Sequence, residues 1–174
     1  MTDDATVQAI RSQPVEATLT WSDGRWALTM TRELPHPAAA VWAMLTRPER
    51  LAAWSPLVPD RPLTSIGPTT SHETPDAPAT AVEVLVSTEP SELVLNWGDD
   101  RLRWTLSPSP TGTTLTLEHQ FADRDGAGSF AAGWHLCLAV LAAWLHGDDV
   151  ERVVGERALD YGWADLRDRY QATL

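Results

Sequence analysis

His119 is the residue best placed for hydrogen bonding or proton transfer on an otherwise apolar surface. In a predicted strand it alternates with Leu115, Leu117 and Phe121, which puts its imidazole on the face expected to be concave. A buried imidazole needs hydrogen-bond partners, so it could orient a ligand's carbonyl or hydroxyl, or act as a general acid or base near neutral pH. The alternative is a core histidine bonded to a neighbouring side chain.

Arg32 raises the same question with a permanent positive charge. It shares a strand face with Trp26, Leu28 and Met30, where a guanidinium requires a carboxylate or carbonyl partner. It could bind the acidic headgroup of a ligand. The alternatives are a salt bridge to an acid such as Glu49, or a position at the strand end in water.

The other histidines and the cysteine do not suggest a metal site. His135 and His146 lie three turns apart on one predicted helix, about 16 Å, so they cannot share a metal ion. Cys137 lies among apolar residues without a nearby cation, which predicts an unreactive core thiol. His135 could point at the rim of a cavity, or be an ordinary core or surface histidine. We expect no metal and no cofactor.

Residue types exclude several other chemistries. All 13 basic residues are arginine, so no lysine can form a Schiff base or act as a general base. The segment 126–129 has neither the pattern of a nucleophile elbow nor the lysine of a phosphate-binding loop, and we interpret it as a strand-to-helix connection. Asp148 and Asp149 lack calcium-loop spacing and indicate a solvated turn.

Tryptophan is unusually abundant, with nine among 174 residues. Trp97, Trp104 and Trp134 are predicted to point inward from two strands and a helix, while Trp42 and Trp54 come from short helices at one end. Indoles pack a wide core, or they form the wall of a pocket for a small apolar ligand. The candidate ligand-binding residues are Arg32, Trp42, Trp54, Trp97, Trp104, His119, Trp134, Leu138 and Leu141.

The spacing of apolar residues predicts the elements that position these side chains. A period of two predicts a hairpin over residues 15–34 around an Asp-Gly turn, and four further strands between residues 82 and 121. Helical spacing predicts two short helices over residues 38–54, a long apolar helix over 129–146 and a last helix over 161–170. The proline-rich residues 55–79 predict mainly loop, with one poor edge strand near 57–63. Since strands and helices do not alternate, the sheet is expected to be antiparallel and covered by the long helix.

Length and charge limit the class of protein. The chain fits one domain, which we place at residues 15–174 after an N-terminal tail of residues 1–14. The net charge of −11 argues against nucleic acid or an anionic membrane as partner, because phosphates need clustered cations. A single cysteine fits a reducing compartment and the acidic start lacks a secretory pattern, so we expect a cytoplasmic protein.

Two segments resemble a known family. Arg32–Pro37, followed by Val41–Leu51 and Trp54, resembles the opening signature of the SRPBCC (START/Bet v1-like) superfamily. The Gly133-Trp134-His135 segment and the leucine-rich helix after it are similar to the final helix of the branch named after the C-terminal domain of the activator of Hsp90 ATPase. The resemblance covers residues 15–172 and implies an α+β helix-grip fold. In that fold a bent antiparallel sheet wraps around a long C-terminal helix and leaves a cavity for a hydrophobic ligand.

We therefore expect the protein to bind a small hydrophobic ligand in such a cavity rather than to catalyse a reaction. The alternative is an enzyme of the polyketide cyclase or dehydratase kind, with His119 as acid or base and Arg32 polarising an oxygen. A second alternative is a co-chaperone-like protein-interaction module. The expected partner is a small hydrophobic molecule, not nucleic acid or a membrane, and a weak homodimer stays open.

Overall fold

Strands with alternating apolar residues form one curved antiparallel sheet. The computed structural model describes residues 1–174. The eight strands lie in the order β1-β2-β8-β7-β6-β5-β4-β3, so strands adjacent in the chain pair with each other, except that β2 pairs with β8. The strands are β1 (Thr18–Ser22), β2 (Arg25–Leu34), β3 (Val58–Pro59), β4 (Gly67–His72), β5 (Thr80–Thr88), β6 (Glu92–Trp97), β7 (Asp100–Ser109) and β8 (Gly112–Phe121).

Six helices complete an α+β helix-grip arrangement, which confirms the predicted fold class. The longest helix, α4, begins after a 3₁₀ turn at residues 124–126 and packs its apolar residues into the same core as the sheet. The helices are α1 (Asp4–Ser12), α2 (Ala38–Thr46), α3 (Pro48–Leu51), α4 (Ala127–His146), α5 (Arg157–Asp160) and α6 (Trp163–Thr173).

The helix α4 is the central core helix. With its preceding turn it forms the segment Arg124–His146, which by length and composition alone could cross a membrane. However, 67% of its most apolar stretch is buried inside the protein. It also crosses α6 closely at Gly128, where an added Cβ would lie 2.5 Å from Gln171 Oε1 and 3.0 Å from Arg167 O. The helix is therefore packed on several sides by its own chain.

Two elements differ from the sequence-based expectation. Residues 1–14, expected to be a tail with at most partial helix, contain the full helix α1. Its N-terminus is capped by the Asp3 carboxylate, which accepts the Thr6 N–H at 2.7 Å. In the segment expected to be mainly loop, β4 pairs with β5, placing Thr69 opposite Val82. Both elements carry few apolar side chains and are fixed by contacts distant in sequence, which periodicity cannot show.

Candidate functional site

A cavity of about 430 Å³ lies on one face of α4, beneath the chain that follows it. From α4 come Phe130, Gly133, Trp134 and Cys137, which recur at the spacing of a single helix face. Ser129 and Leu136 of α4 also line it. The other lining residues belong to the sheet, to loops and to the C-terminal segment: Pro56, Glu73, Trp97, Val153, Val154, Gly155, Glu156, Ala158, Leu159 and Trp163. Because most of these side chains are apolar, the cavity suits an apolar guest.

The outer wall of the cavity includes part of residues 148–156, a segment without helix or strand that we call the strap. Arg152 holds it in place. Its Nε and Nη2 donate to Ser55 O at 2.9 and 2.6 Å, and Nη2 also donates to Glu73 O at 2.6 Å. A single arginine therefore joins the strap to two loops on the sheet side of the cavity.

Trp134 forms the inner wall, and neighbouring rings and a hydrogen bond fix its indole. Its Nε1–H donates to His119 Nδ1 at 3.0 Å. The ring meets Trp97 and Trp104 edge-on, with centroid distances of 6.2 and 5.5 Å. With only 4% of the residue exposed, the indole has little freedom to change rotamer.

His119 connects Trp134 to Asp100 through its two ring nitrogens. Because an indole N–H can only donate, Nδ1 must accept, and the imidazole proton lies on Nε2, which donates to Asp100 Oδ2 at 2.8 Å. The residue is 0% exposed and Phe130 packs against it at a centroid distance of 4.3 Å. His119 does not line the cavity. Proton transfer to a ligand would need a free ring nitrogen, and neither nitrogen is free.

Indoles fill the space between the centre of the sheet and α4, where we expected the ligand. Only about 10 Å³ remains there, beside Trp104 and Trp134. Trp54 is fully buried, donates its Nε1–H to Met44 O at 2.9 Å and packs edge-on against Trp104 at 5.8 Å. The cavity of about 430 Å³ lies instead beside Trp97, where β6 ends.

Arg32 lies outside the cavity lining, near the end of β2. Its Nη1 donates to Thr31 O at 2.9 Å and its Nη2 to Pro14 O at 3.3 Å, while Nε has no partner. The salt bridge to Glu49 that we considered is not formed. Main-chain carbonyls therefore take the place of a carboxylate around this buried cation.

His135 faces α1 and α6 and lies outside the cavity of about 430 Å³, but it lines a separate space of about 910 Å³ beside these two helices. Its Nε2–H donates to Ile10 O at 3.1 Å, and its Nδ1 accepts from the Tyr170 hydroxyl at 2.9 Å. Burial lowers the pKa of His135 to about 4, and the positive charge of Arg32 adds to that effect. The imidazole is therefore neutral at pH 7 and serves as a structural connector. His146 is exposed at the end of α4.

Cys137 contributes a protonated thiol to the cavity wall. Burial raises its pKa to about 12, and the S–H points to Val153 O at 3.9 Å. A thiol with this pKa carries almost no thiolate at neutral pH, in agreement with the unreactive cysteine expected from the sequence.

The cavity brings together two of the nine residues predicted to bind a ligand, Trp97 and Trp134. Trp42, Leu138 and Leu141 are buried in the hydrophobic core, and Trp54 and Trp104 fill the interior. For the seven residues outside the lining, ligand binding stays a prediction to which this cavity adds no support.

Sequence reasoning missed the small residue that makes room for the cavity. A Cβ added to Gly133 would meet nothing within 4 Å, so the glycine faces open space. The sequence carried one indication, a glycine inside a long apolar helix. Glycine lowers the stability of a helix by about 1 kcal/mol relative to alanine, so its presence there indicates a packing or functional role. The strap carried no comparable signal, because its position depends on the contact of Arg152 with Ser55 O.

Comparison with a protein-family model gives one match. Residues 35–146 match the model described as Activator of Hsp90 ATPase homolog 1-like protein. The matched range contains α2, α3, β3 to β8 and α4, whereas α1, the β1–β2 hairpin, the strap and α6 lie outside it. No curated protein matches the sequence.

Solved structures of low sequence identity share the fold. A conserved protein of unknown function, EF2215 from Enterococcus faecalis, has a TM-score of 0.75 and 16% identity, over 95% of this chain and 94% of that one. CalU16 from Micromonospora echinospora has a TM-score of 0.70 and 19% identity, over 90% and 96%. DynU16, from the dynemicin biosynthetic locus, has a TM-score of 0.63 and 25% identity, over 72% of this chain and 48% of that one.

Proposed function

The chain belongs to the family of Activator of Hsp90 ATPase homolog 1-like proteins, and on that premise we propose that it binds a small, largely apolar molecule in the cavity beside α4. The ligand occupies the space above Gly133 and contacts the rings of Trp97, Phe130, Trp134 and Trp163. The protein acts as a binding module in the cytoplasm.

The observation that carries this proposal is the open space above Gly133 within an aromatic lining. Ligand sites typically have volumes of about 300–1,000 Å³, mostly apolar walls and a few polar groups that set orientation. The volume of about 430 Å³ falls within that range. Aromatic side chains from β6, α4 and α6 provide the walls, and Ser129, Glu73 and Glu156 provide polar groups.

The charges at the cavity favour a ligand without a strong net charge. Glu73 and Glu156 are the charged residues in the lining, and both are exposed. The Arg152 guanidinium donates to Glu73 O but is not part of the lining. The two carboxylates oppose an acidic ligand, and because both are exposed they give a basic ligand only a weak advantage.

Catalysis by His119 receives no comparable support. Its two ring nitrogens are bonded to Trp134 and Asp100, and it is absent from the cavity lining. No contact of the described residues favours the co-chaperone alternative either. The biosynthetic locus of DynU16 is compatible with a small-molecule role for this fold.

The test of the proposal is to fill the cavity from its helical side. The probe is N-phenyl-1-naphthylamine, an uncharged dye whose emission rises in apolar surroundings. Gly133→Leu places a side chain in the open space, so we expect the affinity for the dye to fall roughly tenfold or more, since each displaced methylene contact is worth about fourfold. Titration of dye emission measures the change.

Gly133→Ala is the matched control. It makes the same change from glycine and stabilises the helix by about 0.5–1 kcal/mol, but it fills little of the cavity. We expect it to retain the wild-type affinity within about threefold. If the dye binds Gly133→Leu as tightly as wild type, or if a panel of apolar dyes shows no saturable binding to wild type, the cavity is not a ligand site.

A further inference from the structure

We propose that Trp134 is a partition that limits the length of the ligand, and that its position is set by His119. This inference rests on the proposed function, since it concerns how far a ligand can extend from the same cavity. Trp134 is a specificity-determining residue in this view, and His119 is a positioning residue.

Trp134 separates two apolar spaces. It lines the cavity of about 430 Å³ on one side and the remnant of about 10 Å³ under the sheet on the other. Trp134 is the one residue that lines both spaces, so its indole is their common wall. The residues on the sheet side are almost all apolar: Leu45, Leu51, Ser55, Leu57, Leu63, Leu95, Leu102 and Trp104. A ligand that passed the indole would therefore enter another apolar environment.

The indole is fixed by a directional contact as well as by packing. A core side chain that only filled volume would need no hydrogen bond, and leucine or phenylalanine would serve. Here the Nε1–H bonds to His119 Nδ1 at 3.0 Å, and His119 bonds to Asp100, the first residue of β7. The Asp100 side chain is 26% exposed, so the chain of hydrogen bonds reaches from the cavity wall to the protein surface.

A wall fixed in this way gives a sharp limit on ligand length. Each methylene that enters an apolar cavity adds about fourfold to affinity, and a methylene that finds no room adds nothing. A series of straight-chain alcohols from hexanol to tetradecanol should therefore show rising affinity up to a break, followed by a plateau or a decline. The position of the break reports the distance from the cavity mouth to Trp134.

The experiment measures this break by displacement of N-phenyl-1-naphthylamine from wild type, Trp134→Leu and Trp134→Phe. Trp134→Leu removes most of the wall, so we expect the break to move to longer alcohols by about two methylenes or more. Trp134→Phe keeps a ring but loses the N–H, and should shift the break less. His119→Asn, in which the amide oxygen lies near the position of Nδ1 and can still accept the indole N–H, should keep the wild-type break. His119→Leu removes the acceptor and should make the break less sharp.

Trp42→Leu is the matched control, since Trp42 is buried but lines neither space. It should lower stability without moving the break. An unchanged break in folded Trp134→Leu and Trp134→Phe overturns the partition role while leaving the ligand site intact. If Trp134→Leu does not fold, Trp134→Phe alone decides. Absence of displacement by every alcohol in wild type would instead contradict the proposed function itself.

Discussion

Both buried histidines act as connectors between elements. The Nδ1 atom of His119 accepts the indole N–H of Trp134, and its Nε2–H donates to Asp100. His135 links Tyr170 to Ile10 O, and burial opposes its charge. Both histidines lie on apolar faces and connect elements by hydrogen bonds. This is the structural role that the sequence analysis gave as the alternative to a functional one.

The stability of the protein should fall on mild acidification because of His135. In the unfolded chain its pKa is about 6.5, whereas burial in the folded protein lowers it to about 4. Between these values the unfolded state binds more protons, so stability is full above pH 6.5 and declines as pH falls toward 4. The loss amounts to about 3 kcal/mol, measured as the free energy of unfolding in urea.

The variant His135→Gln isolates this contribution. Glutamine can donate to Ile10 O and accept from Tyr170 but does not titrate, so its stability should depend less on pH in the same window. The difference between the two curves removes the contribution of the carboxylates, which titrate in both proteins. Parallel curves for wild type and His135→Gln would contradict the role of His135.

At the scale of elements, Arg152 is the side chain that joins the strap to the loops at Ser55 and Glu73. Arg152→Met removes three hydrogen bonds to Ser55 O and Glu73 O while keeping a long apolar stem. We expect a loss of about 1–3 kcal/mol in the free energy of unfolding, because these bonds have a charged donor. Maleimide should also label Cys137 faster, since a loosened strap exposes the cavity wall.

Arg101→Met provides the comparison for that experiment. Arg101 is exposed on β7 and its Nε donates to Asn96 Oδ1 at 3.2 Å, so its replacement should change stability by less than about 0.5 kcal/mol. Equal labelling rates of Cys137 in Arg152→Met and Arg101→Met would show that the strap is held by other contacts.

Sequence periodicity predicted the elements that carry their own apolar pattern. The β1–β2 hairpin, strands β5 to β8 and helix α4 were recovered because alternation or helical spacing marks a buried face. Helix α1 was expected only as partial helix within a tail, and strand β4 was not predicted. Their few apolar residues, such as Ile10 in α1, gain a buried environment only from distant parts of the chain.

The candidate site was predictable in part for the same reason. Trp97 and Trp134 could be placed on inward faces, since each belongs to a patterned element. The position of the empty space could not be predicted. It depends on whether Trp54 and Trp104 fill the interior and on where the strap crosses α4, and both follow from long-range packing.

At the scale of the whole molecule, hydrogen bonds join the segments that lie outside the family match at residues 35–146, and these segments pack against the core. The Asp3 N–H donates to the Tyr161 hydroxyl at 2.8 Å, and the Glu151 N–H donates to Thr6 Oγ1 at 3.0 Å. The buried Ile10 side chain adds an apolar contact to α4, which also binds Ile10 O through His135. Helix α1 is thus a structural part of the protein.

Deletion of residues 1–13 should therefore destabilise the protein. The loss of the buried Ile10 side chain and of the partner of His135 should cost about 2–4 kcal/mol in the free energy of unfolding. Deletion of Met1 and Thr2 alone leaves the Asp3 cap and should have little effect. If the longer deletion leaves urea unfolding unchanged, α1 does not contribute to stability.

The order of strands also determines where folding must overcome chain entropy. From β3 to β8 each strand pairs with the next strand in the chain through a short connection, so these strands can pair one after another through local contacts. The β2–β8 seam is different, because Thr31 meets Thr116 across 85 positions. Closing so long a loop is entropically costly. We therefore expect formation of the β2–β8 pairing to be the main kinetic barrier to folding.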